Sequence, residues 1–405
     1  MQFSLQPLIW RILVVILCAA ATWGACFSAI VNITSDSSPD FALRLMPNDS
    51  IALAAKVDTS LSKPDIGQRA LLTQSNDVAM SVRGQALNAR SVRQLALIAD
   101  AKGKTDDARA LMKLSTKLSR RDFAAQLWLI EDGVRADNIV STMAHYDVAL
   151  RTNAGSVGIL YPILNSALVD ETVQRAFVPY LRTNPPWLGS FLSFAIASGS
   201  SSTAVAETVM KGGRLPDTAA YRALDTQLLQ QLAAKGAFVE MFRYYGRLRG
   251  ADQRVITSTA FDALETAQEY VPITWQTLSS PGIDAMFEAS ESAGKPQLRV
   301  IASSGERAPA LRKLLGLPPG VYRFSQKAVP VRLANGASAY WQLLCLKNDA
   351  LSPIWRSDVN MTEILIPATC AGQYFEYVIA GGSDQDGAEV IVKSVSISKN
   401  KVNLK

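Results

Sequence analysis

The sequence predicts a multidomain chain, α then β. A single N-terminal transmembrane helix is followed by an α-solenoid of helical hairpins and then by a C-terminal antiparallel β-sandwich. Three observations predict it. Residues 12–31 carry no charge. From about 41 to 270 apolar residues recur at three- and four-residue steps. Beyond Val271-Pro272, short β-like runs alternate with Gly-, Pro- and Ser-rich turns. At 405 residues the chain exceeds what one core ordinarily supports, so more than one domain is expected.

The first element is residues 8–31, LIWRILVVILCAAATWGACFSAIV, in which Arg11 is the one charge. About 20 apolar residues in a helix span roughly 30 Å, the thickness of a bilayer core. Arg11 and the amino group precede the run, whereas the next basic residue, Arg44, lies behind Asp36 and Asp40. The positive-inside rule therefore keeps residues 1–7 in the cytoplasm and places everything after residue 31 outside. Two alternatives export the remainder equally well: a cleaved signal peptide ending near Ala19-Ala20-Ala21, and a lipoprotein lipidated at Cys26. The layout resembles a bacterial signal anchor, which implies a single-pass inner-membrane protein with its bulk in the periplasm. On that reading the sequons beginning at Asn32, Asn48 and Asn360 stay unmodified.

Of the 4 cysteines, Cys18 and Cys26 belong to the apolar segment. Cys345 and Cys370 both fall in the β-like region, and in an oxidising compartment they read as one disulfide. Two buried free thiols are the alternative.

Residues 32–40, NITSDSSPD, read as a polar linker leaving the membrane. The helical region, 41–271, is rich in Ala and Leu and broken only briefly. Val92, Leu95, Ala96 and Ala99 define one apolar stripe and Ala108, Leu111, Met112 and Ser115 the next, with Gly103 between them. Short helices that hide one face must stack on neighbours. These positions resemble tetratricopeptide repeats: Leu95-Ala96 on the first helix, Gly103 at the turn, Ala108 and Met112 on the second. About 34 residues on, Asp137 takes the turn, Tyr146 the bulky position and Ala149 the next small one. Pro47 fits a closing proline, whereas Thr142, Asp137 and Arg120 depart from the pattern. The resemblance covers about 42–155 and implies a protein-binding surface.

Further helices are expected at 157–168, 170–182, 186–197, 202–211, 217–235, 238–249 and 256–270, with Trp187, Phe191 and Phe194 as a core cluster.

For the β region, 272–400, strands are expected at 273–278, 283–289, 297–302, 321–328, 339–347, 362–366, 373–380 and 389–398. Residues 401–405 form a basic tail. Leu315 to Phe324, with Pro318-Pro319-Gly320 inside, reads as strand, corner and strand. This Leu-x-Pro-Gly-x-Tyr form and the closing Val395-Ser396-Ile397-Ser398 resemble carbohydrate-binding-module-like sandwiches of the galactose-binding or jelly-roll type. The resemblance implies a glycan ligand. In 339–347, Trp341, Leu343 and Cys345 share a core face, with Tyr340 and Gln342 opposite. Tyr340, Trp355, Arg356 and Tyr374 are the expected glycan contacts, Trp355 exposed in a loop or edge after Ser352-Pro353.

Catalytic signatures are sparse. The single histidine, His145, sits mid-helix as a packing residue. No cluster has zinc-ligand spacing, and Gly212-Gly213 and Gly381-Gly382 lack the neighbours of a phosphate loop. Glu288 with Glu291, and Asp384 with Asp386, are the candidate carboxylate pairs, and Asp384-Gln385-Asp386-Gly387 opens like a calcium loop without its later ligands. The net charge of +6, from 41 basic and 35 acidic residues, is too dispersed for nucleic-acid binding. Lys393, Lys399, Lys401 and Lys405 read as a solvated end, with anionic glycan or membrane contact as the alternative.

The expected function is therefore non-enzymatic, with no cofactor or metal. The combination resembles periplasmic accessory proteins of exopolysaccharide or envelope polysaccharide export. Its partners would be the membrane, a protein on the helical repeats and a polysaccharide on the sandwich. A purely structural assembly protein and a glycan-modifying hydrolase are the alternatives.

Overall fold

The computed structural model describes residues 6–61, 68–267, 269–290, 295–347, 350–359, 363–383 and 387–400. Glu291, Asn360, Asp384 to Asp386, Lys401 and Lys405 lie outside the described residues. The chain divides into two compact units, Met1–Leu160 and Tyr161–Lys405.

The first unit is helical. It opens with α1, Gln6–Ser37, whose stretch Trp10–Ser37 is long and apolar enough to cross a membrane. The residues expected as a linker, 32–40, are instead mostly helical. After α1 runs on to Ser37, Ser38 makes the turn, and α2 occupies Pro39–Leu45 with its proline in the first turn, where the missing N–H costs nothing. Tertiary contact overrides the polar composition. Val31 and Ser35, one turn apart on α1, are buried. The Ser35 hydroxyl bonds Asp49 Oδ1 at 2.9 Å, and Asp36 pairs with Arg90 at 2.5 Å.

Next come α3 (Ser50–Leu61), α4 (Gln68–Thr73), α5 (Ser75–Gly84), α6 (Ala89–Ala101), α7 (Thr105–Leu118), α8 (Phe123–Arg135) and α9 (Ile139–Thr152). The side chains of Asn88, Asp122 and Asn138 cap α6, α8 and α9 by accepting from backbone N–H groups. Helices α6–α7 and α8–α9 form the expected hairpins. Gly103 and Asp137 turn them with φ of 75° and 53°, a left-handed conformation that favours glycine. Ala96, Ala108, Met112 and Ala149 are fully buried where the hairpins pack.

The second unit joins helices to two sheets. Helices α10 (Val157–Ala167, straddling the division), α11 (Glu171–Thr183), α12 (Leu188–Ser198), α13 (Ser202–Gly212), α14 (Ala219–Ala234) and α15 (Phe238–Tyr245) fall where the periodicity expects them. Trp187 and Phe191 join Phe177 in an aromatic core, whereas Phe194, also expected inside, is 37% exposed against Tyr161. The long helix expected over 256–270 does not form. Among the described residues of this segment, a 3-10 turn, Gln253–Ile256, and the single-turn α16, Ala263–Thr266, take its place. This segment serves the sheets instead: the Thr259 hydroxyl donates to the Val395 carbonyl, and Ala260 accepts from the Trp275 indole.

Among the described residues ten strands follow: β1 (Gln276–Thr277), β2 (Ile283–Ala289), β3 (Pro296–Ala302), β4 (Arg307–Leu315), β5 (Gly320–Leu333), β6 (Ser338–Lys347), β7 (Ala350–Arg356), β8 (Glu363–Ile366), β9 (Gln373–Ala380) and β10 (Ala388–Lys399). Of β4 only the Leu315 end, where a strand enters the corner, is expected from sequence, and β7 answers to the expected loop or edge. The first sheet has the order β1-β4-β9-β6-β7 and the second β2-β3-β10-β5-β8, all pairings antiparallel. Both contribute to one core. Leu298, Val300 and Val392 come from the second sheet, and Trp341, Leu343 and Phe375 from the first. Trp341 stacks on Phe375 with centroids 4.4 Å apart.

The corner from Leu315 to Phe324 crosses from β4 in one sheet to β5 in the other. The Tyr322 hydroxyl donates back to the Pro318 carbonyl at 2.8 Å, and the buried Gln373 amide bonds both the N–H and the carbonyl of Leu317. Helices and sheets of this unit are closely joined. A Cβ at Gly372 would lie 2.6 Å from the Phe238 ring, and one at Gly316 would lie 2.8 Å from both Phe242 and Ile256. Residues 161–271 therefore belong with the sheets, although the change from helix to strand falls near Pro272.

Candidate ligand-binding face

Strand alternation sorts the side chains of the first sheet. Trp341, Leu343, Phe375 and Tyr377 point into the core. The opposite face carries Tyr340, Gln342, Tyr374 and Glu376, and register places Arg312, Glu376, Gln342 and Arg356 in one row across β4, β9, β6 and β7. Three of the four expected contacts, Tyr340, Arg356 and Tyr374, lie on this face.

Trp355 does not. It is 5% exposed and packs inward against Phe324 at 4.7 Å. Of the loop or edge expected here, the structure has an edge, strand β7. Pro353 is tolerated at an edge because it has no ladder hydrogen bond to lose. The register shift opposite Leu343 and Leu344 leaves Trp355 paired with the core residue Leu343.

The face is built from guanidinium and aromatic groups. The Arg356 guanidinium lies 4.2 Å from the Tyr340 centroid, and that of Arg307 lies 5.7 Å from the same ring while donating to its hydroxyl at 2.7 Å. Arg312 lies 5.3 Å from the Tyr374 centroid and pairs with Glu376 at 2.5 Å. Glu376 also accepts from the Gln342 amide at 2.8 Å. Burial pushes the Tyr374 phenol up, with Arg312 opposing the shift. Arg356 pairs with Asp358, and its buried Nε has no hydrogen-bond partner.

Three guanidiniums thus meet two carboxylates, Glu376 and Asp358. Such a face suits a carboxylate, sulfate or phosphate better than a neutral sugar ring, because charge-assisted bidentate contacts to oxyanions are what guanidinium forms best. Arg307 and Arg312 are not legible from sequence because only the Leu315 end of β4 reads as strand. Glu376 was legible, since it shares the parity of Tyr374.

Elsewhere, the Cys345–Cys370 disulfide forms as expected, with Cα atoms 5.8 Å apart. Among the described residues no cluster of His, Cys, Asp and Glu could hold a metal. His145 bonds Gln126 at 2.8 Å, and burial, then Lys113, pushes its pKa down. Glu288 bonds Arg299 and Gln297, which hold its carboxyl below the usual range, so it makes a poor proton donor.

Several clefts mark the helices, two of them rich in charged residues. One of about 530 Å³ in the first unit is lined by Asp58, Arg90, Arg93, Arg121 and Asp122. One of about 680 Å³ in the second is lined by Glu171, Glu207, Lys211, Arg243 and Arg247.

No protein-family model matches the chain, and no curated protein matches it in sequence.

Proposed function

We propose that this chain is a single-span scaffold of a bacterial envelope that works by binding rather than by catalysis. Helix α1 crosses the inner membrane, the remainder is periplasmic, and the protein is accessory to exopolysaccharide or envelope polysaccharide synthesis and export. The observation that carries this reading is the pairing of two features far apart in sequence. At one end is the exposed apolar α1; at the other is the Cys345–Cys370 disulfide, a bond of oxidising compartments. The helical clefts, with interspersed basic and acidic residues, offer surface for a protein partner. The outward face of the first sheet offers Arg307, Arg312 and Arg356 to a polysaccharide bearing carboxylate or other acidic groups.

A purely structural assembly role is the second reading. It is favoured by one observation: Tyr340 is only 5% exposed, so its ring is already covered by the chain's own arginines.

Binding of uronate-bearing and neutral polysaccharides by the full chain in nanodiscs tests the proposal. Salt-sensitive binding of the acidic polymer alone supports it. No binding to either polymer, with a protein partner recovered, supports the structural role. Catalytic turnover of a polysaccharide overturns both.

A further inference from the structure

Helix α1 does not end where its apolar run ends. About 20 residues, Ile12 to Val31, suffice for the bilayer core, yet the helix continues to Ser37. Between Trp10 and Ser37 the buried positions are Val31 and Ser35. The first unit is therefore attached to α1 at the outer boundary of its apolar run, and without a flexible tether. Ser35 bonds Asp49, and Asp36 bonds Arg90 on α6.

Next to this junction the unit carries an apolar surface that its own fold leaves uncovered. Ser38 alone joins α2 to α1, and Ala42 is the fully buried residue of α2. On α2, Phe41 and Leu45 lie one turn apart, and Met46 follows. They are 47%, 37% and 48% exposed, and Ile33 on α1 is 75% exposed. Large exposed apolar residues elsewhere in the first unit, such as Met80, Leu87, Leu114 and Val140, are scattered singly along the chain. A short apolar face continuous with a transmembrane helix matches the chemistry of the lipid interface, with Arg44 available to a headgroup phosphate.

We propose that α2 is an interfacial foot: Phe41, Leu45 and Met46 enter the outer leaflet beside α1 and fix the first unit against the membrane surface. This rests on α1 being a span.

The test uses the full chain with Cys18→Ser and Cys26→Ser, in nanodiscs of phosphatidylcholine and phosphatidylglycerol. Spin labels are placed singly at Leu45→Cys, Met46→Cys, Ala20→Cys within α1 and Lys104→Cys on the α6–α7 turn. Relaxation by oxygen and by a water-soluble nickel chelate reports depth. Labels at 45 and 46 are expected to favour oxygen at interfacial depth, between the immersed 20 and the water-exposed 104. Should 45 and 46 match 104 while 20 is immersed, the foot is wrong and the anchor stands. Should 20 itself be nickel-accessible, the anchor fails, and the foot with it.

Discussion

The Arg356 guanidinium rests 4.2 Å from the centre of the Tyr340 ring, on the face of the first sheet that points away from the core. The contact explains how a tyrosine on an outward face comes to be 5% exposed, and why the surface presents charge where an open aromatic platform was expected. At a partly exposed site it is worth about 1 kcal/mol or less.

Arg356→Ala is accordingly expected to leave the melting temperature nearly unchanged. Its effect should appear in binding of an acidic polysaccharide, reduced about tenfold, the loss of one charge-assisted contact worth about 1.4 kcal/mol. Titration of wild type and variant at two salt concentrations checks it. A variant that binds as wild type does would remove this face from consideration.

How far this face was legible is decided strand by strand. In β6 Trp341 and Leu343 join the core as their spacing requires, although Tyr340 and Leu344 on the opposite parity are buried as well. For β7, Ser352-Pro353 leaves loop and edge both open, and the sheet order selects an edge, where proline is harmless. Trp355 then went to the wrong side. Strand β4, RAPALRKLL, is composed largely of good helix formers, so local propensity pointed away from its true state and hid Arg307 and Arg312. Residues 32–40 misled for a related reason, since their polarity says nothing of the Ser35–Asp49 contact that orders them. Helix positions were read well wherever 3.6-residue periodicity was sustained, as in α6 to α9.

The disulfide gives a second prediction. Cys345 and Cys370 close a loop of sequence separation 25, for which chain-entropy arguments give about 3 kcal/mol. Reduction, or the double change Cys345→Ala with Cys370→Ala, should lower the stability of the second unit by about that amount. Urea denaturation with and without reductant measures it. An unchanged midpoint would contradict the loop-closure account.

A third concerns the pair beneath the core. Lys313 and Glu265 are almost completely inaccessible and bonded to each other, with the ammonium 5.4 Å from the Trp275 centroid. Burial pushes the lysine down and the carboxyl up, and their mutual attraction opposes both shifts. Removing one partner strands the other, so Lys313→Met alone should cost about 3–5 kcal/mol. Adding Glu265→Gln should recover much of that loss. A double-variant cost equal to the sum of the costs of Lys313→Met and Glu265→Gln made singly would show that the pair is not coupled.

Asp225 supplies a pH dependence. Its carboxylate accepts from the Tyr244 hydroxyl at 2.5 Å, and burial pushes its pKa up to about 6 in spite of that bond. The unfolded carboxyl titrates near its ordinary value of about 3.9. Between these two values the folded chain holds a proton that the unfolded chain releases, so this group's contribution to stability declines as pH rises from about 4 to 6 and is level above. Asp225→Asn can still accept from Tyr244 but does not titrate. The stability of the variant relative to wild type should therefore rise across that window, by on the order of 2 kcal/mol, in denaturation curves at pH 4, 5, 6 and 7. A constant difference would mean that Asp225 titrates normally.

The central claim is that α1 anchors an exported scaffold, and membrane topology tests it most directly. Membranes are extracted with alkaline carbonate, and intact spheroplasts are treated with protease added from outside. The account predicts that the chain resists extraction and that external protease removes everything beyond α1 and α2. Release by carbonate, or protection from protease until the spheroplasts are lysed, would contradict it.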